Sequence, residues 1–248
     1  MLEVRGLTKS YGALRASDGI DFDVRQGETH AVIGPNGAGK TTFISQLAGD
    51  LRPDAGRIVF AGEDVTELRA PRRARKGLAR SFQITSVYHE FSALDNVALA
   101  VQARLGHSFR FWRDARRDAA LREPARRLLD EVGLGARSEV LAASMSHGEH
   151  RQLEVAMASV TNPQVIMLDE PASGLSRGER ERLTELLLAL PADVTLILIE
   201  HDMDVALTVA EYVTMMHEGR QIVEGTPNEI RSNQLVHDLY LGSGNYGE

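Results

Sequence analysis

The eight residues Gly34 to Thr41, GPNGAGKT, carry the spacing G-x-x-x-x-G-K-[ST] of a phosphate-binding loop. Glycines there let the backbone wrap an anion, and the amide hydrogens of the loop and of the following helix end supply partial positive charge. Lys40 is spaced to reach β and γ phosphates, and the Thr41 hydroxyl to coordinate Mg2+. A second set of chemical groups closes VIMLDEP, Val165 to Pro171. Adjacent carboxylates on a strand point to opposite sides, so Asp169 and Glu170 are expected to do different work. Asp169 would hold the Mg2+ shell, and Glu170 would polarise or deprotonate an attacking water. His201, at the end of TLILIEH, is placed to hydrogen-bond a γ-phosphate or to orient that water. Glu200 beside it reads as a solvated or structural acid. Together these residues imply nucleotide binding, without separating a kinase from an ATPase or a GTPase.

The stretch SMSHGEHRQLE, residues 144 to 154, is a helix start of unusual composition. Ser146 and Glu149 form S-x-x-E ahead of Leu153, Ala156, Met157 and Val160, which is a capping box followed by an apolar helical stripe. Capping does not account for Gly148, which lowers helix propensity in the first turn. A glycine there lets a phosphate approach the helix end closely.

These groups must be delivered by elements of the right kind. THAVI (29 to 33) reads as a strand that runs through the glycine-rich turn into a helix at KTTFISQLAG. QVIML (164 to 168) and VTLILI (194 to 199) are nearly continuous apolar runs, as expected of strands buried on both faces of a parallel sheet. Helical patterns follow each, at Arg180 to Leu190 and Met203 to Ala210, which predicts an α/β organisation. LEVRGLTKSYG, DFDVRQGE, GRIVFAGE, YVTMMHEG and RQIVEGT read as shorter strands, some joined as hairpins around Gly219. Between about residues 84 and 160 the pattern turns mainly helical.

Composition narrows the setting. The chain has 248 residues, 43% of them hydrophobic, which is ample for a core. Its net charge of −7 argues against nucleic-acid binding driven by overall charge. It has no cysteine, so disulfides and thiolate metal sites are excluded. The first residues, MLEVRGLTKSYG, lack the apolar core of a signal peptide, and no apolar run reaches about 18 residues. The expectation is a cytosolic protein whose membrane role comes through a partner. Two basic runs stand out: Arg69, Arg72, Arg73, Arg75, Lys76 and Arg80, then Arg110, Arg113, Arg116, Arg117, Arg122, Arg126 and Arg127. Solvated helical faces are the expected reading, and contact with a protein partner or lipid headgroups is the other.

Taken in order, GPNGAGKT, Gln83 in SFQ, MSHGEHRQLE, VIMLDEP and His201 resemble the ATP-binding subunit of ABC transporters over nearly the whole chain. SHGE matches the family's signature, usually written LSGGQ, which kinases and GTPases lack. The resemblance implies that residues 1–248 form a single ABC ATP-binding domain, an α/β P-loop NTPase cassette. It would have a mostly parallel core sheet, an antiparallel β subdomain and an inserted helical subdomain at roughly 84–160. It further implies a head-to-tail pair of cassettes. Ser146, His147, Gly148 and Glu149 of one would contact the ATP held by Gly34, Pro35, Asn36, Gly37, Ala38, Gly39, Lys40, Thr41 and Thr42 of the other. In the same scheme Tyr11 stacks on adenine, Gln83 senses Mg2+ and relays to the membrane subunit, and Thr41, Gln83 and Asp169 serve the metal. Glu170 is catalytic and His201 is the γ-phosphate switch.

Three positions depart from the family pattern. His147 replaces the first signature glycine, Glu149 replaces the glutamine, and Ser176 ends Ser173-Gly174-Leu175-Ser176 where an aspartate is usual. The form SHGE-x-RQLE, the insert HSFRFWR and the ending LYLG are similar to ATP-binding subunits that take up branched-chain, or hydrophobic, amino acids. The implied partners are a second ATP-binding subunit, identical or related, transmembrane permeases and, indirectly, a solute-binding protein, with this chain on the inner face of the cell membrane. A lipid or polysaccharide exporter and a soluble ABC ATPase are the alternatives. The soluble class usually carries two cassettes or a long coiled coil, whereas this chain has one phosphate loop and no heptad run.

Overall fold

A computed structural model describes residues 1–80, 87–105, 118–160 and 163–241. The elements that carry the loop and the acids belong to one sheet, built from β3 (Thr29–Ile33), β6 (Leu78–Arg80), β7 (Val165–Asp169), β8 (Thr195–Ile199), β9 (Tyr212–His217) and β10 (Arg220–Gly225). Their order is β10-β9-β3-β8-β7-β6. The pairings from β9 through β6 are parallel, and only the β9–β10 hairpin is antiparallel. A smaller antiparallel sheet has the order β2-β1-β4-β5, from β1 (Leu2–Tyr11), β2 (Leu14–Val24), β4 (Ala55–Phe60) and β5 (Glu63–Asp64).

The unbroken apolar runs of β7 and β8 follow from cover on both faces. Val165, Met167, Ile197 and Ile199 point one way, into a cluster with Phe43, Ile44 and Leu47 of α1 (Lys40–Ala48) and the inner face of the antiparallel sheet. Ile166, Leu168, Leu196 and Leu198 point the other way. There they meet α6 (Arg177–Leu188) and α7 (Met203–Val209) through Leu183, Leu187 and Val205. A third cluster lies within α3 (Ala93–Leu105), α4 (Ala119–Glu131) and α5 (His147–Ser159), around Leu94, Val97, Leu129 and Leu153.

Several sequence expectations need correction. Among the described residues from 87 onward the first helix is α3 at Ala93, and Gly135–Arg137 and Ala142–Ser144 are short 3-10 turns between α4 and α5. The helix expected at Arg180 starts at Arg177, because Ser176 and Glu179 make a capping box three residues earlier. Short helices α2 (Ala70–Arg75), α8 (Pro227–Ser232) and α9 (Gln234–Leu241) and strand β6 were not expected. The first basic run is not uniformly a solvated face. Arg73 is buried and donates to the carbonyls of Gln46, Leu47, Thr66 and Leu68, and Arg80 is buried against Asp169 and Asp50. Arg122 and Arg126 of the second run lie on α4, where Arg122 pairs with Asp95 of α3 and both reach Glu139. Arg110, Arg113, Arg116 and Arg117 fall outside the described residues.

Candidate functional site

The phosphate loop joins the C-terminal end of β3 to α1, so its amides and the helix N-terminus face the same edge of the sheet. Gly39 holds φ +99° at the N-cap, where no side chain caps the helix. A Cβ on Gly39 would lie 2.2 Å from the Ala16 carbonyl oxygen, so a larger residue is excluded sterically as well as conformationally. Lys40 is 4% exposed, and its ammonium folds back and donates to the Gly34 oxygen at 2.6 Å and the Pro35 oxygen at 3.1 Å. Burial pushes its pKa down, while the nearby charges of Glu170, Asp169 and Glu200 oppose that shift.

A cavity of about 970 Å³ opens over the loop. Tyr11, Asn36, Gly37, Ala38, Gly39, Lys40, Thr41, Thr42 and Glu170 all line it. Tyr11 is 52% exposed at the end of β1, with the Lys9 ammonium 5.9 Å from its ring centroid. The wall also holds Arg15, Ala16, His217, Glu218 and Arg220, from the start of β2 and the β9–β10 hairpin. These the sequence reading missed, because only the packing of the hairpin beside β2 brings them to the loop.

The two acids of VIMLDEP separate as the strand geometry requires. Asp169 ends β7 and accepts from Arg80 Nη2 at 2.6 Å, Arg80 itself standing at the end of neighbouring β6. Glu170 takes a left-handed φ of +50°. Its N–H donates to the Ile199 oxygen and its own oxygen accepts from Ser173, so the turn is held while the side chain faces the cavity. The His201 ring, 48% exposed, has Nδ1 3.7 Å from Glu170 Oε2. Glu200 is fully buried and accepts from the backbone N–H groups of Ala172, His201 and Asp202, which makes it structural and not solvated. Burial raises its pKa against those donors.

At α5 the capping box is complete: Ser146 Oγ accepts from the Glu149 N–H at 3.2 Å, and Glu149 Oε2 accepts from the Ser146 N–H at 2.8 Å. Gly148 has a reason within the chain that the sequence did not reveal. Its N–H donates to Glu179 Oε1 at 3.1 Å, and a Cβ there would lie 3.0 Å from Glu179 Cγ. The other Glu179 oxygen takes the Ser176 N–H and hydroxyl. Hydrogen bonds from Ser176 and Gly148 hold that carboxyl far below its ordinary range, at about 2. Ser146 and His147 are exposed, and none of Ser146, His147, Gly148 or Glu149 lines the phosphate-loop cavity. Gln83 and the segment HSFRFWR lie outside the described residues, as does Gly242 at the end of LYLG.

Comparison with known proteins adds to this geometry. A family profile described as "ABC transporter" matches residues 17–173. The high-affinity branched-chain amino acid transport ATP-binding protein BraF of Pseudomonas aeruginosa is 36% identical, with 98% of each chain covered. The corresponding LivG protein of Escherichia coli is 33% identical over the same shares. A solved ATP-binding cassette of an ABC transporter, in its ADP conformation, superposes with a TM-score of 0.86 at 27% identity, covering 98% of both chains. Matched by the profile over more than half its length and by these relatives over nearly all of it, the chain belongs to the ABC transporter family.

Proposed function

We propose that this chain is the ATP-binding and ATP-hydrolysing subunit of an ABC importer for branched-chain or other hydrophobic amino acids, or related small solutes. It acts on the inner face of the cell membrane as one of a pair of cassettes beneath permease subunits that a solute-binding protein supplies. Among the described residues no helix is long and apolar enough to cross a membrane. The observation that carries the reading is the gathering of the phosphate loop, Asp169, Glu170 and His201 at one sheet edge while none of Ser146 to Glu149 lines that cavity.

ATP lies with its phosphates over Gly34 to Thr42 and its adenine against Tyr11. Lys40 exchanges its two carbonyl partners for phosphate oxygens, and Glu170 accepts a proton from the attacking water. His201 stands beside Glu170 and contacts the γ-phosphate. The donor set at this edge suits Mg2+: Thr41 offers a hydroxyl and Asp169 a carboxylate, hard oxygens of the kind that ion prefers, and Asp169 is already held in place by Arg80. When bound, Mg2+ neutralises phosphate charge. Each ATP is completed by Ser146 to Glu149 of the other cassette, so it binds the closed pair more tightly than the open one, and closure moves the permease.

The test is Glu170→Gln, read by nucleotide binding, by hydrolysis and by leucine uptake into vesicles holding the assembled transporter. ATP binding should persist while turnover falls at least about 100-fold and uptake collapses. Undiminished hydrolysis would remove Glu170 from the role, and uptake independent of Glu170 would overturn the transport reading.

A further inference from the structure

The first turn of α5 presents an electrostatic conflict. A helix N-terminus carries roughly half a positive charge, which favours the Glu149 carboxylate for folding. The same end faces the phosphates of a partner's ATP in the proposed function, and for that ligand a carboxylate is repulsive. Glu179 adds a second carboxylate at the Gly148 N–H.

Arg137 answers the first of the two. Its Nε donates to Glu149 Oε1 at 2.8 Å, and its Nη2 lies 3.4 Å from Oε2, a forked arrangement across one carboxylate. The guanidinium is brought there by a tied-down segment. The Leu134 N–H donates to Leu129 of α4, the Arg137 N–H donates to the Leu134 oxygen, and the Val140 N–H donates to the Arg137 oxygen. Leu134 itself is buried at 1% exposure in the helical cluster. Glu149 is thereby fixed in a pose in which it also accepts from Ser146, and these donors hold its pKa below the ordinary value in spite of burial. The Arg137 side chain remains 44% exposed, and Ser146 and His147 are exposed as well.

We propose that Arg137 is a positioning residue for ATP hydrolysis. It cancels the charge of Glu149 and aims that carboxylate at the Ser146 amide, so that the end of α5 stays attractive to the phosphates of the partner cassette's ATP. The inference rests on the reading that Ser146 to Glu149 contact ATP in trans. It explains how a glutamate can stand in this turn at all, and it makes the cation, not the glutamate alone, the tuned element of the contact.

The test compares Arg137→Gln, Glu149→Gln, their combination and Ser146→Ala in the full chain, by ATPase rate against ATP concentration and by thermal melting. Arg137→Gln should raise KM for ATP about three- to tenfold, the scale of one uncompensated charge near a partly exposed anion site. The melting temperature should hardly move, because exposed pairs add little stability. Adding Glu149→Gln should return KM to within about twofold of the parent, since both charges are then gone. An unchanged KM in Arg137→Gln overturns the proposal, and so does a raised KM that Glu149→Gln fails to restore. If Ser146→Ala leaves KM and kcat unaltered, the contact in trans itself fails, which is a separate result from failure of the rescue.

Discussion

At the scale of single residues, the site is a set of side chains held ready by partners other than their ligand. Lys40 spends its ammonium on two loop carbonyls, and Asp169 spends an oxygen on Arg80. Arg80 was legible only as one cation in a basic run, because nothing in sequence spacing says that β6 pairs with β7 in the register that sets Arg80 beside Asp169. Glu170 and His201 are 3.7 Å apart, near enough for the ring to orient the acid or the same water. His201→Ala should lower kcat by about 100-fold, the smaller end of what one general acid-base partner supplies, with nucleotide binding kept. An unaltered kcat would reduce His201 to a residue of the strand end.

At the scale of elements, the chain is joined by caps that reach across sequence. The C-terminus of α1, the helix that begins at the phosphate loop, is closed by Arg73, whose guanidinium donates to Gln46 and Leu47 at 2.8 and 2.7 Å and to Leu68 and Thr66 at 2.8 and 2.9 Å. Burial pulls its pKa down to about 10, still leaving it charged at neutral pH. Arg73→Met would strand those carbonyls and should cost about 3 kcal/mol. In a chain of this length that corresponds to a fall in melting temperature of roughly 6 to 12 °C. A melting temperature within a degree of the parent would show that water takes over the cap. Glu179 does the comparable work between α5 and α6, bonding Ser176 at the start of its own helix and Gly148 at the start of the other. The S-x-x-E box of Ser146 and Glu149 was visible as a local pattern, but the donation from Gly148 to Glu179 was not, since those two residues are 31 positions apart.

At the scale of the molecule, the two apolar clusters on either side of the core sheet deliver the chemical residues to one edge, while the helical cluster holds the end of α5 outside the phosphate-loop cavity. The proposed contact in trans is tested at this scale. Ser146→Ala should leave the fold intact, costing about 1 kcal/mol for the lost cap, yet lower the ATPase rate of the assembled pair severalfold, as measured beside a melting curve. A loss of folding with no specific defect in rate would return the stretch to plain capping. The sequence by itself determined the phosphate loop, the α/β alternation, the two buried strands and the capping box at Ser146, because each is written in neighbouring residues through local spacing, periodicity or backbone freedom. Only the tertiary structure decided which cations are buried, that Arg137 answers Glu149, that Gly148 makes room for Glu179, and which residues of the β9–β10 hairpin wall the cavity. Those facts depend on strand order and on the docking of helices far apart in the chain, and no local pattern encodes them.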